Sequence, residues 1–145
     1  MNKALYYKYM FMVVGIGYIL AAVIFGVLAP MVPTFMPFFG LNQDIQIWVW
    51  LYSYLLIITS FGFMYFLVGL DITKNHLVIS AGMIFKISQF ILWLVIYLLD
   101  YCSLPLLLVG VVDLVFAALF IEFFVNYKNL DPTQIVLAYP IRKDR

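Results

Sequence analysis

The last long apolar stretch of the chain, residues 104–127, reads LPLLLVGVVDLVFAALFIEFFVNY. Apolar side chains occupy every face of this stretch, which is typical of a helix surrounded by lipid rather than of a half-buried helix in a soluble domain. A strand of a membrane barrel would instead alternate polar with apolar residues. At 1.5 Å per residue the stretch spans roughly 36 Å, enough to cross a hydrocarbon core about 30 Å thick. It therefore predicts a transmembrane helix.

Three further apolar stretches have the same character, and they cover residues 9–28, 47–70 and 77–99. The whole chain of 145 residues is 67% hydrophobic and 10% charged, with a mean hydropathy of +1.10. Four crossings use most of this length and leave no room for a separate soluble domain. We therefore predict an all-α integral membrane protein, with a bundle of four transmembrane helices in residues 1–128 and a short cytoplasmic tail in residues 129–145.

The basic residues are distributed unevenly between the two sides of this predicted bundle. Lys86 lies inside a predicted span, while the other seven lie in the N-terminal segment, the second loop or the C-terminal tail: Lys3, Lys8, Lys74, Lys128, Arg142, Lys143 and Arg145. The loops at 29–46 and 100–103 contain none. Because basic residues accumulate on the cytoplasmic side of membrane proteins, both termini and the second loop are predicted to be cytoplasmic. The expected location is the inner (cytoplasmic) membrane of the cell.

Two segments outside the spans have an unusual composition. The first outer loop, 29–46, places Pro30, Pro33 and Pro37 among bulky apolar residues. Proline interrupts a helix, so we expect a broken segment that lies in the outer interface and ends at Gly40. This loop is either an interfacial anchor or a lip over a lipid- or quinone-sized groove between the helices. The C-terminal tail is short and partly apolar, and it either lies on the cytoplasmic face or docks to a partner.

Lys86 and Asp113 are the only charged residues well inside the predicted spans. Each lies about nine residues from the start of its span, which places it roughly 14 Å deep and close to the midplane. The connection between the two spans is short, so the helices are expected to be antiparallel neighbours. A charge at the bilayer centre costs at least ~2.5–3.5 kcal/mol, which favours pairing of the two. We therefore predict a Lys86–Asp113 ion pair.

Two other polar residues are expected near this pair. Gln89 follows Lys86 by three residues and shares its helix face, and Tyr18 lies near mid-depth of the first span, where it can donate to Asp113. The predicted intramembrane polar site thus contains Lys86, Asp113, Gln89 and Tyr18. One interpretation is an internal lock that fixes the register of the helices. The others are a proton- or ion-coupled site, or a lysine that contacts the polar head of a bound lipid or quinone.

Other chemistry has little support in the sequence. His76 is the only histidine, so the chain cannot supply two axial ligands to a membrane haem, and no His/Cys group has metal-site spacing. Cys102 is the only cysteine, which excludes an intramolecular disulfide and leaves a free thiol or a bond to a partner. Glu122 is expected to be a solvated carboxylate, with Lys8, Lys74 or His76 as alternative partners. Phosphate-binding loops, nucleic-acid signatures and Ser–His–Asp sets are absent from the sequence, so we favour a protein without enzymatic activity or a nucleic-acid partner. We predict no cofactor, with a bound quinone or lipid as the alternative.

Several short motifs of the chain resemble those of a known family. They are Gly15-Ile16-Gly17-Tyr18, Gly69-Leu70-Asp71 with Asn75, Gly82-x-x-x-Lys86, Asp113-Leu114, Phe116-Ala117 and Leu119-Phe120. Over most of residues 15–124 the chain resembles small four-helix bacterial membrane proteins of the DoxX-like group. The resemblance implies a role as an accessory membrane subunit of an oxidoreductase, in some relatives one that delivers electrons to quinone. It carries over no catalytic residue.

Three functions are therefore compatible with the sequence. The first expectation is a non-catalytic accessory or anchor subunit of a membrane complex, with a link to quinone chemistry that comes from the resemblance alone. The second is a small transporter or a lipid- or quinone-binding protein that uses the Lys86–Asp113 pair. The third is a purely structural, partner-binding membrane protein. The expected partners are the lipid bilayer and either other membrane subunits or further copies of this chain.

Overall fold

The computed structural model describes residues 2–41 and 45–130, together with Thr133, Ile135, Ala138 and Tyr139 of the tail. Every regular element in these residues is a helix. The helices are α1 (Lys3–Met31), α2 (Phe35–Phe38), α3 (Ile45–Leu70), α4 (His76–Leu98) and α5 (Leu104–Tyr127). All except α2 are long and apolar enough to cross a membrane. The described part of the chain is thus an all-α structure with four candidate membrane spans, and it indicates a multi-pass membrane protein.

The four long helices form two antiparallel pairs, α1 with α3 and α4 with α5. In the first pair Gly15 of α1 meets Gly62 of α3, where a Cβ atom on Gly15 would lie 2.6 Å from the Gly62 carbonyl oxygen. Glycine at both positions lets the two backbones approach closely, which is a common device of membrane helices. The pairs join where Phe61 of α3 stacks on Phe85 of α4, with ring centroids 4.7 Å apart. Aromatic contacts between α1 and α5 close the bundle.

The bundle has two halves of different character. The tail half is the end where α1 and α4 begin and α3 and α5 end. Its core consists of aromatic side chains from three helices: Tyr7, Phe11, Tyr65, Phe120 and Phe123, each at most 1% exposed. Their rings meet with centroids about 5 Å apart, as between Phe11 and Phe120 at 5.1 Å. The α2 half is the opposite end, where a smaller cluster of Phe39, Cys102 and Leu106 packs beneath α2.

Helix α1 is longer at both ends than the predicted first span, residues 9–28. Helix α1 starts at Lys3 because the Asn2 side chain accepts a hydrogen bond from the Leu5 backbone N–H at 3.1 Å and caps the first turn. At the other end α1 continues through Pro30, so the predicted break before this proline was wrong. Pro30 has no N–H to donate to the Gly26 carbonyl, and the Tyr52 hydroxyl donates to that oxygen instead, at 3.3 Å. The other predicted limits agree within two residues.

The described residues of the tail pack against the bundle itself. Ala138 is 2% exposed and belongs to the core of the tail half. Its carbonyl accepts a hydrogen bond from Lys8 Nζ at 3.0 Å, and the Tyr139 hydroxyl donates to the Gly69 carbonyl at 2.9 Å. These contacts place Ala138 and Tyr139 against the end of the bundle where α1 begins and α3 ends.

Candidate functional site

The polar site begins with the ion pair between α4 and α5. Lys86 lies eleven residues into α4 and Asp113 ten residues into α5, and because the helices are antiparallel these positions are at the same level. Lys86 Nζ lies 3.2 Å from Asp113 Oδ1. The structure thus places the two charged residues in contact at the same level, as their depths in the predicted spans indicate.

Tyr18 adds a third helix, α1, to this pair. Its hydroxyl donates to Asp113 Oδ1 and accepts a hydrogen bond from Lys86 Nζ. Lys86, Asp113 and Tyr18 are called the polar cluster below. Because the phenol acts as donor and acceptor at once, each member of the cluster has a polar partner inside an apolar bundle, as buried polar groups require.

Aromatic rings enclose the ammonium group of Lys86. Its Nζ lies 3.8 Å from the ring centroid of Tyr18, 4.9 Å from that of Phe116 and 5.4 Å from that of Tyr65. A cation next to the faces of aromatic rings is attracted by their quadrupoles, by about 2 kcal/mol or more when it is desolvated. Lys86 is accordingly 0% exposed, and its ammonium donates to both other members of the cluster.

Gln89, the fourth residue of the predicted site, lies outside the polar cluster. It is 7% exposed, as its shared helix face with Lys86 indicates. Its amide forms no hydrogen bond with Lys86, Asp113 or Tyr18, all of which are described by the structure. The structure therefore brings together three of the four predicted residues.

A cavity of about 420 Å³ lies between the polar cluster and α2. Its walls are almost entirely apolar and come from α1, α3, α4 and α5, with Phe25, Leu55, Trp93, Leu106, Val109 and Val112 among them. Asp113 and Tyr18 also line it, whereas Lys86 does not. Asp113 is the one lining residue that carries a formal charge. The cavity is thus an apolar chamber with a carboxylate at the end nearest the midplane.

The segment around α2 closes the end of the cavity farthest from the polar cluster. Phe35, Met36 and Phe39 line the cavity there, and Met36 is 1% exposed. Hydrogen bonds fix this cover to the neighbouring loop, since Ser103 N–H donates to the Phe39 carbonyl at 3.1 Å and Ser103 Oγ donates to that of Phe38 at 2.7 Å. Residues 35–39 thus form a cover over one end of the cavity.

Gly40 lets the cover turn tightly against the loop before α5. Its φ is +75°, in the left-handed region, and a Cβ atom there would lie 2.6 Å from the Ser103 backbone nitrogen. Any other residue would be strained in conformation and would also collide with backbone. The expected end of the broken segment at Gly40 therefore coincides with a turn that requires glycine.

The cavity has its side opening between α1 and α5. The most exposed lining residues are on these helices: Gly17 on α1, and Val109 and Val112 on α5, at 36% and 52% exposure. A Cβ atom on Gly17 would meet nothing within 4 Å. If the helices cross a bilayer, this opening faces the hydrocarbon, so a lipophilic molecule can enter sideways without crossing water.

The two charged residues of the ion pair differ in their position relative to the cavity, which Asp113 lines and Lys86 does not. Lys86 was considered as the residue that contacts the polar head of a ligand, but its ammonium is enclosed by rings and by Asp113. The lining residues with polar side-chain groups are Asp113, Tyr18, Tyr54 and Trp93, and Asp113 is the charged one among them. The amino-acid types alone could not decide which of the two paired charges faces the cavity.

Glu122, His76 and Cys102 are placed apart from the site. Glu122 accepts a hydrogen bond from the Tyr7 hydroxyl at 3.1 Å, so its partner is a phenol rather than one of the basic residues considered. His76 Nε2 lies 3.2 Å from the Ile72 carbonyl oxygen. Cys102 is a free thiol, and burial raises its pKa. Within the part of the chain that the structure describes, no three His, Cys, Asp or Glu side chains come close enough to hold a metal ion.

Comparisons with known proteins give no relative for this arrangement. No protein-family model, no curated protein and no solved structure matches the chain.

Proposed function

We propose that the chain is a multi-pass protein of the cytoplasmic membrane, with both termini in the cytoplasm, which binds a small lipophilic molecule in the cavity beside Asp113. The observation that carries this proposal is an apolar chamber of about 420 Å³ with a carboxylate at its inner end. Ligand pockets typically have volumes of about 300–1,000 Å³, with apolar walls and a few polar groups that orient the ligand. Such a void reduces stability if it stays empty, which favours an occupant.

The charge distribution supports the proposed orientation. Lys8 and Lys74 lie at the tail half, while the connections next to the α2 half, residues 32–34 and 99–103, contain no basic residue. Because short cytoplasmic loops retain basic residues, the tail half is assigned to the cytoplasm and α2 to the outer surface.

Site-directed labelling tests the orientation. In a Cys102→Ala background, a cysteine is introduced at Tyr101, which is 72% exposed next to the α2 half, or at the exposed Asn129 next to the tail half. Intact cells are then treated with a membrane-impermeant maleimide. We expect Tyr101→Cys to be labelled in intact cells and Asn129→Cys only after lysis. The opposite pattern would reverse the assignment.

Analysis of bound small molecules tests the ligand. The protein is purified in mild detergent, and its organic extract is analysed by mass spectrometry. Gly17→Phe adds a ring at the side opening, where a Cβ atom would meet nothing within 4 Å, and Leu20→Phe, at a 54% exposed position on the same helix, is the matched control. We expect one lipophilic compound in near-stoichiometric amount with wild type and Leu20→Phe, and its loss in Gly17→Phe. Equal retention by both variants would contradict the proposed site.

The accessory-subunit role and membership of the DoxX-like group stay predictions that rest on the resemblance. Neither conflicts with ligand binding, since a subunit of a quinone-linked complex can itself hold a lipophilic molecule. The same purification tests this role through the proteins that accompany the chain. Stoichiometric membrane subunits would support it, whereas a protein that purifies alone or as copies of itself would favour an independent binding protein or transporter.

A further inference from the structure

We propose that the ligand of this cavity is a neutral lipophilic hydroxyl compound, an alcohol or a phenol, which donates its O–H group to the free oxygen of Asp113. This inference rests on the proposed function, because it specifies the chemistry of the molecule that the cavity takes. Three observations carry it: the hydrogen bonds of the carboxylate, the charge balance of the site and the composition of the walls.

The first observation is that the hydrogen bonds of Asp113 use only one of its two carboxylate oxygens. Lys86 Nζ and the Tyr18 hydroxyl both donate to Oδ1, and Oδ2 accepts no hydrogen bond from the described residues. The Asp113 side chain is 10% exposed and the Lys86 side chain 0%, so the carboxylate is the charged group that the cavity reaches. A carboxylate oxygen that faces an apolar chamber requires a donor, because burial without one is costly.

This geometry disfavours ligands whose polar head only accepts hydrogen bonds. A ketone, an ether or an oxidised quinone can accept from Trp93 Nε1, a buried donor that lines the cavity and has no hydrogen-bond partner among the described residues. Such a head would still leave Asp113 Oδ2 without a donor. An O–H head instead forms one charge-assisted hydrogen bond and satisfies the carboxylate.

The second observation is that the site is already electrically balanced. The charges of Lys86 and Asp113 cancel, and the other lining residues are uncharged. An anionic head would meet the Asp113 carboxylate without reaching the enclosed ammonium. A cationic head would add a positive charge for which the cavity offers no further counter-charge. A neutral donor avoids both costs.

The third observation is the composition and position of the walls. Phe25, Phe35, Phe39 and Trp93 surround the chamber, and the side opening lies between α1 and α5, on the apolar flank of the bundle. A molecule with an apolar body can partition into a bilayer, enter sideways and pack against these rings. The body of the hydroxyl compound is therefore an alkyl chain or an aromatic ring rather than a sugar or another polar group.

The test compares four probes with the same body and different heads. Binding of tritiated 4-octylphenol to the protein in lipid nanodiscs is measured against empty nanodiscs. The competitors are its methyl ether, which lacks the donor, 4-octylbenzylamine, which is cationic, and 4-octylbenzoate, which is anionic. We expect the phenol to bind at one site per chain and the ether to bind roughly 10- to 100-fold more weakly, the factor that one hydrogen bond to a charged group contributes. The amine and the carboxylate should also bind more weakly than the phenol.

Two variants assign the binding to the proposed contacts. Gly17→Phe blocks the side opening and should abolish binding of every probe. The double variant Lys86→Met/Asp113→Asn keeps the site neutral and replaces the acceptor Oδ2, so it should retain the ether while losing most of the preference for the phenol. Helix content and elution volume in detergent verify that both variants are folded.

The failures of the two proposals are distinguishable. Equal binding of the phenol and the ether, lost in Gly17→Phe, would overturn the hydroxyl class while leaving a ligand in the cavity. Tightest binding of the amine or the carboxylate would overturn it in the same way and name the correct class. No binding of any probe above the Gly17→Phe background would overturn both the hydroxyl class and the proposed ligand-binding function.

Discussion

The tail half and the α2 half of this bundle are both rich in aromatic side chains, but the rings fill the space between helices in one half and surround a cavity in the other. In the tail half, rings such as Phe11, Phe120 and Phe123 interlock and leave their side chains at most 1% exposed. In the α2 half, Phe25, Phe35 and Phe39 also contact one another, with centroids 5.1–5.3 Å apart, but they surround a cavity. Aromatic content therefore does not distinguish packing from binding. The difference lies in whether the rings fill the space between helices or enclose it.

The polar cluster lies at the boundary between the two halves. Its ammonium lies 5.4 and 5.7 Å from the ring centroids of Tyr65 and Phe120 in the tail half, while its carboxylate lines the cavity of the α2 half. The same ion pair can thus stabilise the bundle through Lys86 and present a polar group to a ligand through Asp113. A structural lock and a binding site are not exclusive interpretations of this pair.

The largest expected effect comes from removing a buried aromatic ring, which compares how tightly the two halves are packed. Phe120→Ala removes a fully buried ring from the tail half and should lower the free energy of unfolding by about 3–5 kcal/mol. Phe35→Ala removes a ring that already borders a void, so the loss should be clearly smaller. Unfolding in detergent titrated with dodecyl sulfate measures both. Equal losses would show that the α2 half is packed as tightly as the tail half.

The second prediction concerns the charge at the boundary. Lys86→Met leaves Asp113 without its cation and should cost at least ~2.5–3.5 kcal/mol, the penalty of one unpaired charge at mid-depth. The double variant Lys86→Met/Asp113→Leu removes both charges and should recover most of that loss. The same unfolding titration compares the two. A double variant that is no more stable than the single one would mean that the pair contributes more than charge compensation.

The sequence allowed the polar cluster to be predicted because helical rise fixes depth. Nine residues at 1.5 Å place Lys86 and Asp113 at one level in any antiparallel pair, and Tyr18 follows from the same count. Gln89 was placed with them because it shares a helix face with Lys86. A shared face determines burial, however, and not which partner the side chain reaches.

The cavity could not be predicted in the same way. Its volume depends on how far side chains from α1, α3 and α5 fall short of meeting, and Val109 and Val112 are ordinary apolar residues in sequence. The extension of α1 through Pro30 depends on Tyr52, a residue more than twenty positions away whose hydroxyl takes the place of the missing donor. Both features arise from contacts between helices, which a hydropathy pattern does not encode.

The third prediction uses two glycines separated by one residue on α1. Gly15→Ala places a methyl group against the Gly62 and Phe66 backbone, at 2.6 and 2.7 Å, which cannot move without separating α1 from α3. We expect a loss of about 1–3 kcal/mol. Gly17→Ala meets nothing within 4 Å and should stabilise the helix by roughly 0.5–1 kcal/mol. Thermal unfolding of the two variants in detergent is the direct comparison, and similar shifts would contradict the close approach at Gly15.

The smallest expected effect concerns the tail, which completes the packing of the tail half. The Tyr139 hydroxyl donates to the Gly69 carbonyl at 2.9 Å and accepts from the Ile72 N–H at 3.3 Å, so it ties the tail to the end of α3. Tyr139→Phe removes both hydrogen bonds and keeps the ring next to Lys8, which should cost about 0.5–1.5 kcal/mol.

The same variant distinguishes local detachment of the tail from destabilisation of the whole bundle. Limited proteolysis of the detergent-solubilised protein should cleave the tail of Tyr139→Phe several-fold faster than that of wild type, while the helices remain intact. Tyr101→Phe, at an exposed position in the opposite half, is the matched control and should leave the rate unchanged. If the tail variant also released ligand from the cavity, the two halves would be energetically coupled. Their separation into a packed half and a binding half predicts that ligand occupancy stays the same.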